Sequence, residues 1–103
     1  MIYTTDIRKK IESDFGDKAA EVFGIFDDAL SKTDYLNHFR IIRCIIFLSD
    51  KNIDELKKNI QVAIEDPRDV MLFAEYIRRE GEKPKRVRDF NKTFDQSEID
   101  VKE

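Results

Sequence analysis

Arg40-Ile41-Ile42-Arg43-Cys44-Ile45-Ile46-Phe47-Leu48 is the stretch on which the fold turns. Taken alone it is a short apolar run rich in β-branched residues, a pattern that suits a buried strand as well as a buried helix. Two features favour helix: no strict period of two runs through it, and its apolar pattern extends upstream through Tyr35 and Phe39. The spacing predicts a helix over 34–49, capped by Thr33 or Asp34, with Tyr35, Phe39, Ile42 and Ile46 on one stripe. Leu36 and Phe47 face nearly the opposite way, so this helix is expected at the centre of the molecule with neighbours on most sides.

The segments on either side carry plainer helical signals. Upstream, Ile7, Ile11 and Phe15 recur every four residues, with Thr4 or Thr5 to cap a helix over 5–15 and Gly16 to stop it. Asp17 stands where an N-cap belongs, and Ala19, Val22, Phe23, Phe26, Ala29 and Leu30 then fall on one face of a helix over 18–31. Downstream, Asn52 and Glu55 have the spacing of a capping box, followed by Ile53, Leu56, Ile60, Ala63 and Ile64 on a helix reaching residue 65. Asp66-Pro67 ends that helix and opens another over 67–80, with Val70, Phe73, Ala74 and Ile77 inward and Gly81 closing it. Beyond Gly81 only Val87, Phe90 and Phe94 offer side chains to bury, which predicts an extended strap laid along the helices. The expected fold is therefore all-α: a compact orthogonal bundle of about five helices with an extended C-terminal strap, one domain over 1–94, and a polar, frayed tail over 95–103. The caps at 34 and 66 are one helical-repeat length apart, but two weak copies fall short of the three or so units a solenoid needs.

Composition agrees with a single helical core. The chain has 103 residues, 41% hydrophobic and 40% charged, with eight Phe, no Trp, three Gly and two Pro. That is enough apolar matter for one domain and too little turn chemistry for an all-β fold. No apolar run approaches the roughly 20 residues of a membrane span, and the first ten residues lack the charged-then-apolar order of a signal peptide, so a cytoplasmic protein without membrane contact is expected. The lone Cys44 has no disulfide partner and reads as a small buried hydrophobe. The net charge of −3 conceals an asymmetry: residues 78 to 92 hold seven Lys or Arg against three acids, leaving twelve basic and nineteen acidic residues elsewhere.

Arg43-Cys44-Ile-Ile-Phe-Leu48, Ala63-x-x-Asp66-x-Arg68-Asp69-Val70 and Ala74-Glu75-Tyr76 together resemble small, uncharacterised bacterial helical proteins of unknown function. The resemblance covers about the central third of the chain. It implies no activity and assigns no residue a role.

Several side chains invite a functional reading. His38 is the only histidine, six residues from Cys44 and about 120° away on a helix, so the two do not form a nucleophile–base pair; His38 is expected at a core edge. Arg40 and Arg43 share a stripe and are placed to grip a phosphate or carboxylate, or else to pair internally with Asp27, Asp28, Asp69 or Glu75. Asp69 and Tyr76, seven residues apart, complete a polar cluster with those two arginines. Lys83, Lys85, Arg86 and Arg88 form a basic segment suited to phosphates or to the protein's own acids. Apolar Ile25, Val62 and Leu72 fall on faces that patterning makes exposed. Leu72 is the sharpest, on one stripe with Arg68, Glu75 and Arg79.

No glycine-rich phosphate loop, HExxH, paired-cysteine set or nucleophile elbow is present, so no catalytic set, cofactor or metal is expected. The sequence points to a non-enzymatic protein-interaction module, such as a small bacterial adaptor, inhibitor or immunity-type protein, whose partner is another protein or a second copy. The alternative is nucleic-acid binding through residues 78 to 92.

Overall fold

The structure, a computed structural model, describes residues 3–34, 36–77 and 80–98. It is an all-α fold with a radius of gyration of 13.7 Å, near the about 13 Å of a well-packed domain this long. Helices α1 (Thr5–Phe15), α2 (Ala19–Lys32), α3 (Phe39–Ser49), α4 (Ile53–Glu65) and α5 (Pro67–Glu75) follow one another, and a two-stranded ribbon and a 3₁₀ turn complete the strap.

Helices α1, α2 and α4 follow their sequence periods. Ile7, Ile11 and Phe15 of α1 are buried against Val22, Phe26 and Ala29 of α2, and Leu56, Ile60 and Ala63 of α4 join the same core. Gly16, at φ 52°, ends α1 with its N–H on the Glu12 carbonyl. Asp17 does not cap α2: a single 3₁₀ turn, Gly16–Lys18, carries the chain from one helix into the next. At α4 half of the expected capping box forms. The Asn52 side chain accepts the Glu55 N–H at 3.0 Å, while the Asn52 N–H goes to the Ser49 carbonyl at 2.9 Å. Asp50 and Lys51, which turn α3 into α4, both hold positive φ, 46° and 65°.

The decisive stretch is helix, with Ile41 to Ile46 buried on every side and α4, α5 and α1 packed round it. The helix starts at Phe39 rather than 34. His38 caps it, its Nδ1 accepting the Arg40 N–H at 3.1 Å, and is exposed rather than set at a core edge. Leu36 is buried from the connector, Tyr35 lies outside the described residues, and Phe39 is half out of the core with the Arg43 guanidinium 4.9 Å from its ring centre.

The largest correction falls on α5. Asp66 caps it and Pro67 opens it as expected, but it ends at Glu75, not 80. Val70 and Ala74 point inward; Phe73 and Ile77, expected beside them, are exposed, and Glu75 is fully buried in their place. Tyr76 takes extended backbone, and β1 (Tyr76–Ile77) pairs antiparallel with β2 (Lys85–Arg86), Tyr76 opposite Arg86 and Ile77 opposite Lys85. Gly81, at φ 79°, belongs to the connection between the strands rather than to a helix end.

The strap does lie on the helices, though with more structure than a plain extended segment. Val87 and Arg88 both donate their N–H to the Glu75 carbonyl, at 2.8 and 3.2 Å, satisfying the open end of α5. Phe90 is buried against the core, and Phe47 and Phe94 pack on it. Residues 95–98, expected to begin a loose tail, are tied down: Phe94–Gln96 forms a 3₁₀ turn, Ser97 is buried, and Arg88 bridges Glu98. Residues 99–103, the rest of that expected tail, lie outside the described residues.

Candidate interaction surface

Arg40 and Arg43 leave α3 in different company. Arg40 reaches Glu75, its Nε and Nη2 each donating to one carboxylate oxygen. Arg43, only 3% exposed, turns to Asp6: Nε and Nη2 donate at 2.9 Å to the two carboxylate oxygens, and Nη1 donates to the Phe90 carbonyl at 3.0 Å. Of the four acids proposed as partners, Glu75 alone serves. Asp27 accepts the Tyr3 hydroxyl, Asp28 pairs with Lys32, and the Asp69 carboxylate, whose charge acts on Arg68, makes no hydrogen bond or ion pair among the described residues. Arg43's partner, Asp6 in the first turn of α1, was not among those four acids.

These pairs form one network that fastens the strap. The Glu75 carboxylate also accepts the Phe90 N–H at 2.9 Å and Arg86 Nη2 at 3.3 Å, and Arg86 reaches on to Asp89 at 3.0 Å. Asp6 also accepts the Phe94 N–H at 3.2 Å. Among the described residues no buried side-chain nitrogen or oxygen lacks a partner. Burial alone would raise the Asp6 carboxyl pKa, but the hydrogen bonds from Arg43, Thr4 and the Phe94 N–H outweigh it and hold it below the usual aspartate value. The arginines thus serve the fold, and Arg43 is withdrawn from the anion-gripping cluster.

The basic segment divides in the same way. Arg86 is held by Glu75 and Asp89; Arg88 donates to the Ala74 carbonyl at 3.3 Å and lies over the Phe47 ring, 4.3 Å from its centre. The side chains of Lys83 and Lys85 stay exposed and, among the described residues, make no ion pair or hydrogen bond. Arg78 and Arg79, and with Arg79 one corner of the expected partner surface, lie outside the described residues.

Glu75 leaves that surface because it is buried, and Ile25 and Val62 leave it because both pack partly against the core. Arg68 and Leu72 stay, joined by residues that patterning placed inside. Leu72 is 46% exposed, Phe73 60%, Tyr76 37% and Ile77 42%, all within six consecutive residues at the end of α5 and the start of the ribbon. Along one flank a shallow hollow of about 480 Å³ is lined by Arg40, Asp66, Arg68, Asp69, Met71, Leu72 and Tyr76. Three of the four members of the polar cluster therefore meet there. Arg40 is neutralised by Glu75 and Arg68 by Asp66, however, so the lining draws an anion weakly. A second hollow of about 390 Å³ at the start of α4 sets Lys18, Lys51 and Lys57 against Asp14, Glu21 and Asp54, charges in equal number.

Cys44 is sealed in α3. Burial, and after it the negative charge of Glu75, push its thiol up to about 12, far from the thiolate a nucleophile requires. No described helix is long and apolar enough to cross a membrane. No family model, curated protein or solved structure matches the chain.

Proposed function

We propose that the chain is a non-enzymatic protein-interaction module of the adaptor or inhibitor kind that works through the end of α5 and the adjoining ribbon. One observation carries the reading: Leu72, Phe73, Tyr76 and Ile77 stand exposed together, while the charged groups next to them on the core side are paired internally. Monomers seldom leave such a cluster bare without a use for it, and binding energy concentrates on aromatic and aliphatic anchors of this type.

The test is capture of partners by wild type and by Phe73→Asp. Phe73 is the most exposed of the four, so the substitution leaves the core intact, and loss of capture at unchanged thermal stability is the expected result. Equal capture by both proteins would remove the reading. Nucleic-acid binding through residues 78 to 92 rests on Lys83 in the loop and Lys85 on the ribbon, since Arg86 and Arg88 serve the fold. Binding at low salt that disappears in Lys83→Ala/Lys85→Ala would favour it instead.

A further inference from the structure

The apolar cluster has a charge at each end, and the two are of opposite sign. Asp69, in the first turn of α5, lies one helical turn before Phe73; its carboxylate is exposed and, among the described residues, makes no hydrogen bond or ion pair, though its charge acts on Arg68. At the other end Lys85 stands directly across the ribbon from Ile77, and residues so paired project from the same face. The ammonium of Lys85 is likewise free. Of the other charges bordering α5, Arg68 pairs with Asp66, Arg40 with Glu75, and Arg86 with Glu75 and Asp89, while Arg88 is turned to the Ala74 carbonyl and the Phe47 ring. The connection between the strands carries both signs in sequence, Glu80 and Glu82 against Lys83, Arg78 and Arg79, the last two outside the described residues.

The surface therefore reads acid, apolar, apolar, base from the start of α5 to the ribbon. A two-fold interface has to be complementary to itself, each end of the patch meeting the opposite end on the other copy. We propose, building on the interaction-module reading, that the occupant of this face is a second copy of the chain. The two α5 helices run antiparallel across a two-fold axis near Phe73, with Asp69 of each copy against Lys85 of the other. A partner with one sign of charge would satisfy only one end.

The size of the patch sets the strength. Leu72, Phe73 and Ile77, with Tyr76 projecting from the other face of the ribbon, offer about 300 Å² of apolar surface per copy. With their charged borders they approach the about 800 Å² a side of a standard interface from below. A dimer with a Kd in the ~10–100 μM range, weakened by salt, is expected.

Sedimentation velocity between about 5 and 500 μM tests this, with circular dichroism confirming that each variant is folded. Wild type should shift from monomer toward dimer, and Phe73→Asp should stay monomeric. Asp69→Lys and Lys85→Asp each set like charges face to face at both ends of the pair, so each should weaken self-association about tenfold or more. Mixed together they present opposite charges at both ends, and the mixture should dimerise again, as should the double variant D69K/K85D. A wild type monomeric at the highest concentration overturns the proposal, as does a mixture that stays monomeric. If wild type is monomeric yet captures a partner that Phe73→Asp does not, self-pairing falls and the interaction module stands. If Phe73→Asp captures as wild type does, both fall.

Discussion

Asp6 shows how much one side chain can do at a distance. It begins α1, yet its carboxylate closes on Arg43 across 37 residues of sequence and on the Phe94 N–H across 88. With Arg43 almost wholly buried, Asp6→Ala would strand an unpaired guanidinium, a change that typically costs about 3–5 kcal/mol; urea unfolding at neutral pH measures it. The pH dependence has a definite sign. Because the folded-state pKa of Asp6 lies below its unfolded value, the pair's stabilisation is fully present above the unfolded value, about 3.9, and is lost as pH falls through the lower folded value. Stability of Asp6→Asn should therefore fall less than that of wild type between pH 5 and pH 2, and equal acid slopes would show that Asp6 contributes nothing. Cys44 makes the opposite case, a reactive atom kept inert. With its pKa near 12, its thiolate fraction at pH 8 is roughly three orders of magnitude below that of free cysteine. A disulfide reagent should label it at the rate of unfolding, and prompt labelling of native protein would contradict its burial.

At the scale of elements, α1, α2 and α4 were legible because each buries a stripe whose spacing is local: Ile7, Ile11 and Phe15, for instance, need only the helical period to be found. The end of α5 was not. Hydrophobicity puts Phe73 and Ile77 inside and Glu75 outside, and the structure reverses this because Arg40, Arg86 and the Phe90 N–H converge on Glu75 from 35, 11 and 15 residues away. No window along the sequence contains those donors. The same limit hid the surface: with α5 rotated to bury Glu75, Phe73 joined the exposed Leu72 that patterning had identified. The start of α3 was missed for a smaller reason, that a lone histidine was not weighed as a cap. The α3–α4 turn offers a test at this scale. Asp50 and Lys51 hold left-handed backbone that costs a non-glycine residue about 1 kcal/mol or more, so Lys51→Gly, where φ is 65°, should raise stability by about 0.5–1 kcal/mol in thermal unfolding. A lower melting temperature would mean that the lysine side chain holds the turn.

Across the whole molecule the strap is a structural member, because the helices alone leave three needs unmet. The Glu75 carbonyl that ends α5 needs the N–H groups of Val87 and Arg88, the buried Glu75 carboxylate needs Arg86 and the Phe90 N–H, and the core beside Phe47 needs the Phe90 ring. Removing a buried phenylalanine typically costs about 3–5 kcal/mol, and a domain of this size has about 5–15 kcal/mol in all. A chain ending at Ile77 would lose that ring and two of the partners of a buried carboxylate together. It should keep most of its far-ultraviolet helical signal, since each helix retains its own hydrogen bonds, while losing fixed packing: aromatic near-ultraviolet dichroism should vanish and the urea transition should broaden. Cooperative unfolding of residues 1–77 at the wild-type midpoint would show instead that the strap only rests on a finished core. The Asp6–Arg43 and Glu75–Arg40–Arg86 pairs would then be consequences of its position rather than its cause.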